Sequence, residues 1–254
     1  MKKLYEKSEI TFAILWIVIY AVGMGTLQNI FGLDSLWHML GLIVISAAIF
    51  LFVKKNGLME KYGLAGWAKN SKAMLWFIPL WLISCLNLFG GFAPDYTMPG
   101  LLYAAVSMAF VGFAEELIFR GFLFKAMLKD GNVKAAVIVS SITFGMGHIL
   151  NLFTGQNLTE TLIQVVFAVA LGFVFTSVFY KSGSLLPGIL AHSIIDVASV
   201  LASDEGSQLA NVIVHIAVIV ISAAYCLYLA KRVETPAINR ADLQMGSLPG
   251  PQKS

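Results

Sequence analysis

The sequence predicts an all-α, polytopic membrane bundle of about eight transmembrane helices with both termini cytoplasmic. Two observations predict it: the composition, and a charge distribution confined to alternate loops. Of the 254 residues, 58% are hydrophobic and 12% charged, with a mean hydropathy of +0.81, against roughly 45–50% apolar and about 25% charged in an ordinary soluble domain. That excludes a water-soluble enzyme with one packed core, a disordered chain and a nucleic-acid-coating protein, so no nucleic-acid partner is expected. A net charge of +3 implies no anionic partner by itself. The implied partner is the lipid bilayer, and the implied location a cell membrane (the plasma membrane if the protein is bacterial). Cys85 and Cys226 both lie in apolar runs, which leaves no disulfide framework and no paired-cysteine metal site.

A spanning helix needs about 20 mainly apolar residues, because every backbone amide must be bonded internally in lipid. Such windows fall at 10–31, 36–53, 73–92, 98–128, 133–153, 161–180, 185–201 and 209–230. The fourth is longer than a bilayer needs, so it should tilt or project into water. Lys2, Lys3 and Lys7, then Lys54, Lys55, Lys61, Lys69 and Lys72, then Lys125, Lys129 and Lys134, then Lys181, and finally Lys231, Arg232, Arg240 and Lys253 all fall on one side if the spans alternate. The opposite loops, around Asp34, Asp95, Gly155 and Asp204, hold no Lys or Arg. Basic excess marks the cytoplasmic face.

The first span lacks a convincing small-x-small cleavage site and is read as retained. The loop 56–72 carries Leu58, Tyr62, Leu64 and Trp67 among lysines, which suits an interfacial segment or a plain connection equally. Residues 231–254 are polar and proline-containing and read as a disordered tail. No internal repeat of the kind found in duplicated transporters is visible. The chain thus divides into three helices and their loop over 1–97, a bundle over 98–202, a last helix over 203–230 and the tail.

Ionisable groups inside a span are costly, so each calls for a function and a partner. Glu115, Glu116 and Asp196 are the acidic residues within apolar spans, Arg120 is the basic one, and His38, His148, His192 and His215 are all in spans. On an α-helix Glu116 and Arg120 lie one turn apart in the favourable order, which reads as a structural ion pair. Glu115 is rotated about 100° from Glu116, and its neighbours one turn away (Val111, Gly112, Ile118 and Phe119) cannot pair it. It needs a partner from another helix. Counting at about 1.5 Å per residue, Glu115 lies about 21 Å from Lys129 and His148 about 21 Å from Lys134. By the same count His192 and Asp196, which share a helix face, lie about 12 and about 18 Å from Ser184. These four groups on three helices converge on one level of the membrane. His38 and His215 have no such company and read as helix–helix contacts. Gly145, Gly147, Ser140 and Ser141 read as small residues that allow close packing. Leu186-Pro187-Gly188 starts or kinks the seventh helix.

In order, these residues spell Glu115-Glu116-x-x-x-Arg120, Phe144-x-x-x-His148 and His192-x-x-x-Asp196. The series resembles the CPBP intramembrane proteases, the family of the type II CAAX prenyl endopeptidases and bacteriocin-processing or immunity proteins. The motif-bearing stretch runs from about Ser107 to Ala198. The resemblance implies a helix bundle with a catalytic cavity and hydrolysis of a peptide bond in a membrane-associated peptide or protein. It makes Glu115 the general base that activates water, His148 and His192 the polar partners around water and carbonyl, and Glu116, Arg120 and Phe144 supporting residues. The last motif position is often Asn in that family; here it is Asp196. An ionised carboxylate cannot donate to an oxyanion, so Asp196 is read as orienting His192, or as itself protonated in this apolar setting.

No cofactor is favoured. Zinc held by Glu115, His148 and His192 is an acceptable set on paper, but no HExxH is present and the metal-free route is preferred. Two other readings stay open: a catalytically silent interaction or immunity protein, and a proton-coupled carrier using the same groups as a relay.

Overall fold

The computed structural model describes residues 1–68, 77–86, 92, 94–202 and 208–236. The elements in order are α1 (Lys2–Lys7), α2 (Glu9–Phe31), α3 (Leu36–Lys55), α4 (Ile78–Ser84), α5 (Gly100–Glu115), a π-helical segment (Glu116–Phe124), α6 (Lys125–Leu128), α7 (Val133–Gly147), a 3-10 segment (His148–Thr154), α8 (Leu158–Ser182), α9 (Leu186–Leu201) and α10 (Gln208–Arg232). Side-chain caps set where several helices begin. Ser8, Ser35, Asn132 and Asn157 each accept a backbone amide of the first turn, which satisfies donors that have no partner inside the helix. Pro187 sits in the first turn of α9, where its missing N–H costs nothing; the Leu186-Pro187-Gly188 run therefore starts that helix.

Among the described residues six helices are long and apolar enough to cross a membrane: Glu9–Phe31, Leu36–Lys55, Gly100–Leu128, Val133–Thr154, Leu158–Ser182 and Val214–Arg232. Their outward faces are apolar, with Val22, Val44 and Val220 more than half exposed, as a lipid-facing surface requires. Two expected spans differ. Of the window 73–92, residues 77–86 and 92 are described, and they show the short helix Ile78–Ser84. The seventh, Leu186–Leu201, has 16 residues, about 24 Å at 1.5 Å per residue, shorter than the roughly 30 Å hydrocarbon core. Of the proposed tail, residues 237–254 lie outside the described residues.

Contacts sort the loops to two ends. At one end Glu9 accepts from Lys61 at 2.7 Å and from Lys129 at 2.6 Å. Lys61 also donates to the Tyr5 hydroxyl at 2.6 Å. The Ser184 hydroxyl donates to the carbonyls of Gly63 and Gly66, and Lys181 donates to the Val233 carbonyl at 2.7 Å. The N-terminus, the loop after α3, the end of α6, the α8–α9 turn and the end of α10 therefore gather together. At the other end Asp34 lies against Gly100, and Phe92 forms a bridge with Ala202. The basic loops share the first end.

The loop after α3 is a folded connection built of turns. Tyr62 is buried against Phe122, and Gly63, at φ +63°, faces the backbone of Gly183 and Ser184 so closely that a Cβ would clash. Burial pulls the Lys61 ammonium below its ordinary value, opposed by the Glu9 carboxylate and reinforced by Lys129.

Small residues bring the central helices together. A Cβ on Gly112 would lie 2.6 Å from the Ser193 backbone nitrogen, joining α5 to α9. On Gly145 it would meet the Val169 nitrogen at 2.7 Å, and on Gly172 the Ser141 carbonyl at 2.9 Å, which joins α7 to α8. Gly147 meets nothing within 4 Å and does not share that packing role. His38 is buried, with Nδ1 3.4 Å from the Ser107 hydroxyl, a contact between α3 and α5; His215 meets the Phe167 ring. Both histidines are interhelical contacts.

Gly112→Ala should lower stability by at least about 1–3 kcal/mol, the usual cost of overpacking, because backbone, not a flexible side chain, opposes the new methyl. Gly23→Ala, where nothing lies within 4 Å, should leave the melting temperature of the detergent-purified protein at or above wild type.

Candidate active site

The long helix from Gly100 to Leu128 changes its winding where the two glutamates stand. Glu115 ends α5, and Glu116 begins a nine-residue π-helical segment. The spacing in the sequence suits a continuous α-helix; the structure winds these nine residues, all buried, as a π-helix instead. From α7, Ser140 donates to the Phe119 carbonyl at 2.9 Å. Segments of i→i+5 winding are rare and concentrate at functional sites.

Glu116 and Arg120 are fully buried, with Oε1 3.0 Å from the guanidinium. The expected pair therefore forms, but it is not isolated. The same Oε1 accepts from His192 Nδ1 at 3.0 Å, which brings Glu116 into the histidine's own setting. The guanidinium lies over Phe144 at 4.1 Å and over Phe175 at 5.3 Å from the ring centroids, so two aromatic faces cover a cation with few hydrogen-bond partners. A Cβ on Gly188 of α9 would stand 2.9 Å from Glu116 Oε2; the glycine makes room for that carboxylate.

Glu115 faces two other helices. Its Oε1 accepts from the Tyr20 hydroxyl of α2 at 2.9 Å. Its Oε2 lies 3.7 Å from His192 Nε2 and has no hydrogen-bond partner among the described residues. Asp196 Oδ2 is 3.4 Å from the same Nε2. An ionised carboxylate only accepts, so His192 Nδ1 carries the proton given to Glu116, and Nε2 is the nitrogen turned toward Glu115 and Asp196. Phe175 stacks on the His192 ring at 5.0 Å.

His148 begins the 3-10 segment directly after α7, so the expected span 133–153 changes winding at this residue. Its half-buried ring meets Phe144 edge-on at 5.7 Å, and Phe144 meets His192 edge-on at 5.5 Å. Phe144 thus stands between the two histidines. Glu115, Glu116, Arg120, Phe144, His148, His192 and Asp196 all belong to one cluster. Tyr20 and Phe175 join it without having been singled out in the sequence, and Gly188, read there as part of a helix start, joins it too. A tyrosine in mid-span was the available signal for Tyr20, since its hydroxyl requires a partner in lipid. Among the described residues no three His, Cys, Asp or Glu side chains are grouped to hold a metal ion.

Arg120→Ala should strand a buried carboxylate and destabilise the fold by about 3–5 kcal/mol, read as lower folded yield and a lower melting temperature. A normal melting profile would show that the pair carries no structural weight.

Residues 97–198 match the family model described as Rce1-like, type II CAAX prenyl endopeptidase Rce1-like. No curated protein and no solved structure matches the chain. The matched stretch contains every motif residue of the cluster from Glu115 to Asp196, and from outside it α2 sends the Tyr20 side chain to Glu115. Through this helical core, about two fifths of the chain, the protein is similar to the Rce1-like type II CAAX prenyl endopeptidases, a family of proteases.

Proposed function

We propose that the protein is an intramembrane endopeptidase that hydrolyses a peptide bond in a membrane-associated peptide or protein, with Glu115 activating the water. The observation that carries this reading is the state of Glu115. It is a carboxylate inside an apolar bundle, tethered at Oε1 by Tyr20, with Oε2 turned toward His192 and lacking a hydrogen-bond partner among the described residues. Glu116 Oε2 also lacks a hydrogen-bond partner among the described residues, but that carboxylate is paired with the Arg120 guanidinium, whereas Glu115 is held by a neutral phenol.

In the proposed reaction Glu115 Oε2 takes a proton from water while the water oxygen bonds to the scissile carbonyl carbon. The proton then passes to the leaving nitrogen as the C–N bond breaks, giving a carboxylic acid and an amine. His192, held through Nδ1 by Glu116, offers Nε2 to the reacting atoms, and Asp196 orients that ring. His148, across Phe144, is the polar partner for the carbonyl. The proton moves from water to Glu115 and from Glu115 to the leaving nitrogen, and the proposed reaction is metal-free. The family description makes a prenylated C-terminus the substrate class to test first.

Glu115→Gln keeps the shape and removes the basic oxygen. Turnover of a farnesylated peptide ending in Cys-aliphatic-aliphatic-X, or of an unprenylated membrane-proximal peptide library, should fall at least roughly 10²–10⁴-fold with folded yield maintained. His148→Ala and His192→Ala should abolish turnover, while His38→Ala and His215→Ala should not. Chelators should leave activity intact; stoichiometric zinc whose removal abolishes activity and whose return restores it would overturn the metal-free reaction. Activity retained in Glu115→Gln would remove the whole mechanism.

The gathering of basic loops at one end of the bundle supports cytoplasmic termini. A reporter fused after Ser254 should be active in its cytoplasmic form; activity only outside the cytoplasm would reverse the orientation.

A further inference from the structure

We infer that Tyr20, in the first long helix and outside the stretch matched to the family, is a positioning residue for Glu115. The inference rests on the endopeptidase reading and adds a residue to it. Phe12, Trp16, Tyr20 and Met24 recur every four residues and form the buried face of α2. That face packs on the π-helical segment, with Phe12 meeting Phe122 at 5.0 Å. Packing alone would be served as well by Phe at position 20, whose burial carries no hydroxyl to satisfy. The hydroxyl makes a 2.9 Å hydrogen bond to Glu115 Oε1.

The direction of that bond is set by chemistry. An ionised carboxylate accepts only, so the phenol donates. Rotation about the terminal torsion of a glutamate is otherwise broad. With Oε1 tied to α2, the other oxygen is confined to the side where His192 Nε2 lies at 3.7 Å. Tyr20 therefore selects which oxygen acts as base and holds it there. The helix that carries Tyr20 is itself pinned. Glu9, about 16 Å along α2 from Tyr20, bonds both Lys61 and Lys129, which ties the start of α2 to the end of the helix that carries Glu115.

The test uses the full-length protein in liposomes, with the farnesylated peptide and the peptide library as probes. Tyr20→Phe should lower kcat roughly 10- to 100-fold, the rate equivalent of one hydrogen bond to a charged group, with KM unchanged. In a Glu115→Gln background it should cause no further loss. Independently of turnover, the infrared difference between wild type and Glu115→Gln isolates the Glu115 carboxyl band. That band should shift in Tyr20→Phe and stay in place in Phe12→Leu. A wild-type kcat in Tyr20→Phe, or an unshifted band, overturns the inference while leaving the endopeptidase reading intact. If wild type cleaves neither probe, the endopeptidase reading fails, and the infrared band alone decides whether Tyr20 holds Glu115.

Discussion

Glu116 and Arg120 lie fully covered in a bundle whose outer surface is apolar, and much of the central architecture follows from the cost of leaving either charge alone. An unpaired ion in such a setting costs several kcal/mol even after relaxation. The guanidinium is therefore met by a carboxylate on one side and by two aromatic faces, from α7 and α8, on the others. The carboxylate in turn takes a second donor from α9, His192. One ion pair thus binds four helices to a common point, and Gly188 supplies the space in which the carboxylate fits.

Two adjacent glutamates acquire different work from this arrangement. Glu116 has its charge absorbed by Arg120 and His192, and what it contributes is the orientation of the imidazole. Glu115 stands at the junction between α-helical and π-helical winding and is held by a neutral donor, the Tyr20 hydroxyl. Environment, not residue type, separates a positioning carboxylate from a candidate base. The same logic applies to the histidines: His192 is held at Nδ1 by Glu116 with two further carboxylates near Nε2, whereas His38 meets a serine between two helices.

The site needs backbones to approach closely, and in lipid that closeness cannot come from a hydrophobic driving force between helices. Glycines at 112, 145 and 172 provide it, setting α5 against α9 and α7 against α8. These contacts seat two motif-bearing helices, α5 and α9, on each other and the third, α7, on α8. At the basic end, the Glu9 clamp joins the first long helix to the end of the helix that carries the glutamates. The N-terminal helices are thereby part of the site's support as well as of the membrane anchor.

Much of this was legible in the linear chain, because the cost of placing a charge in lipid is local and shows in the sequence. Long apolar windows located most of the helices, alternate basic loops anticipated their sorting to two ends, and ionisable residues inside spans picked out Glu115, Glu116, Arg120, His148, His192 and Asp196. Spacing also anticipated the Glu116–Arg120 pair. Tertiary structure decided what depends on neighbours remote in sequence. The π winding at Glu116 is one such feature, since residues four apart are neighbours in either winding and the pattern alone does not separate the two. Tyr20, 95 residues from Glu115, is another. A tyrosine in an apolar run reads as packing until the fold reveals what its hydroxyl touches. The sharing of Glu116 between Arg120 and His192 is a third, because the partners of a buried carboxylate are chosen by which helices pack around it.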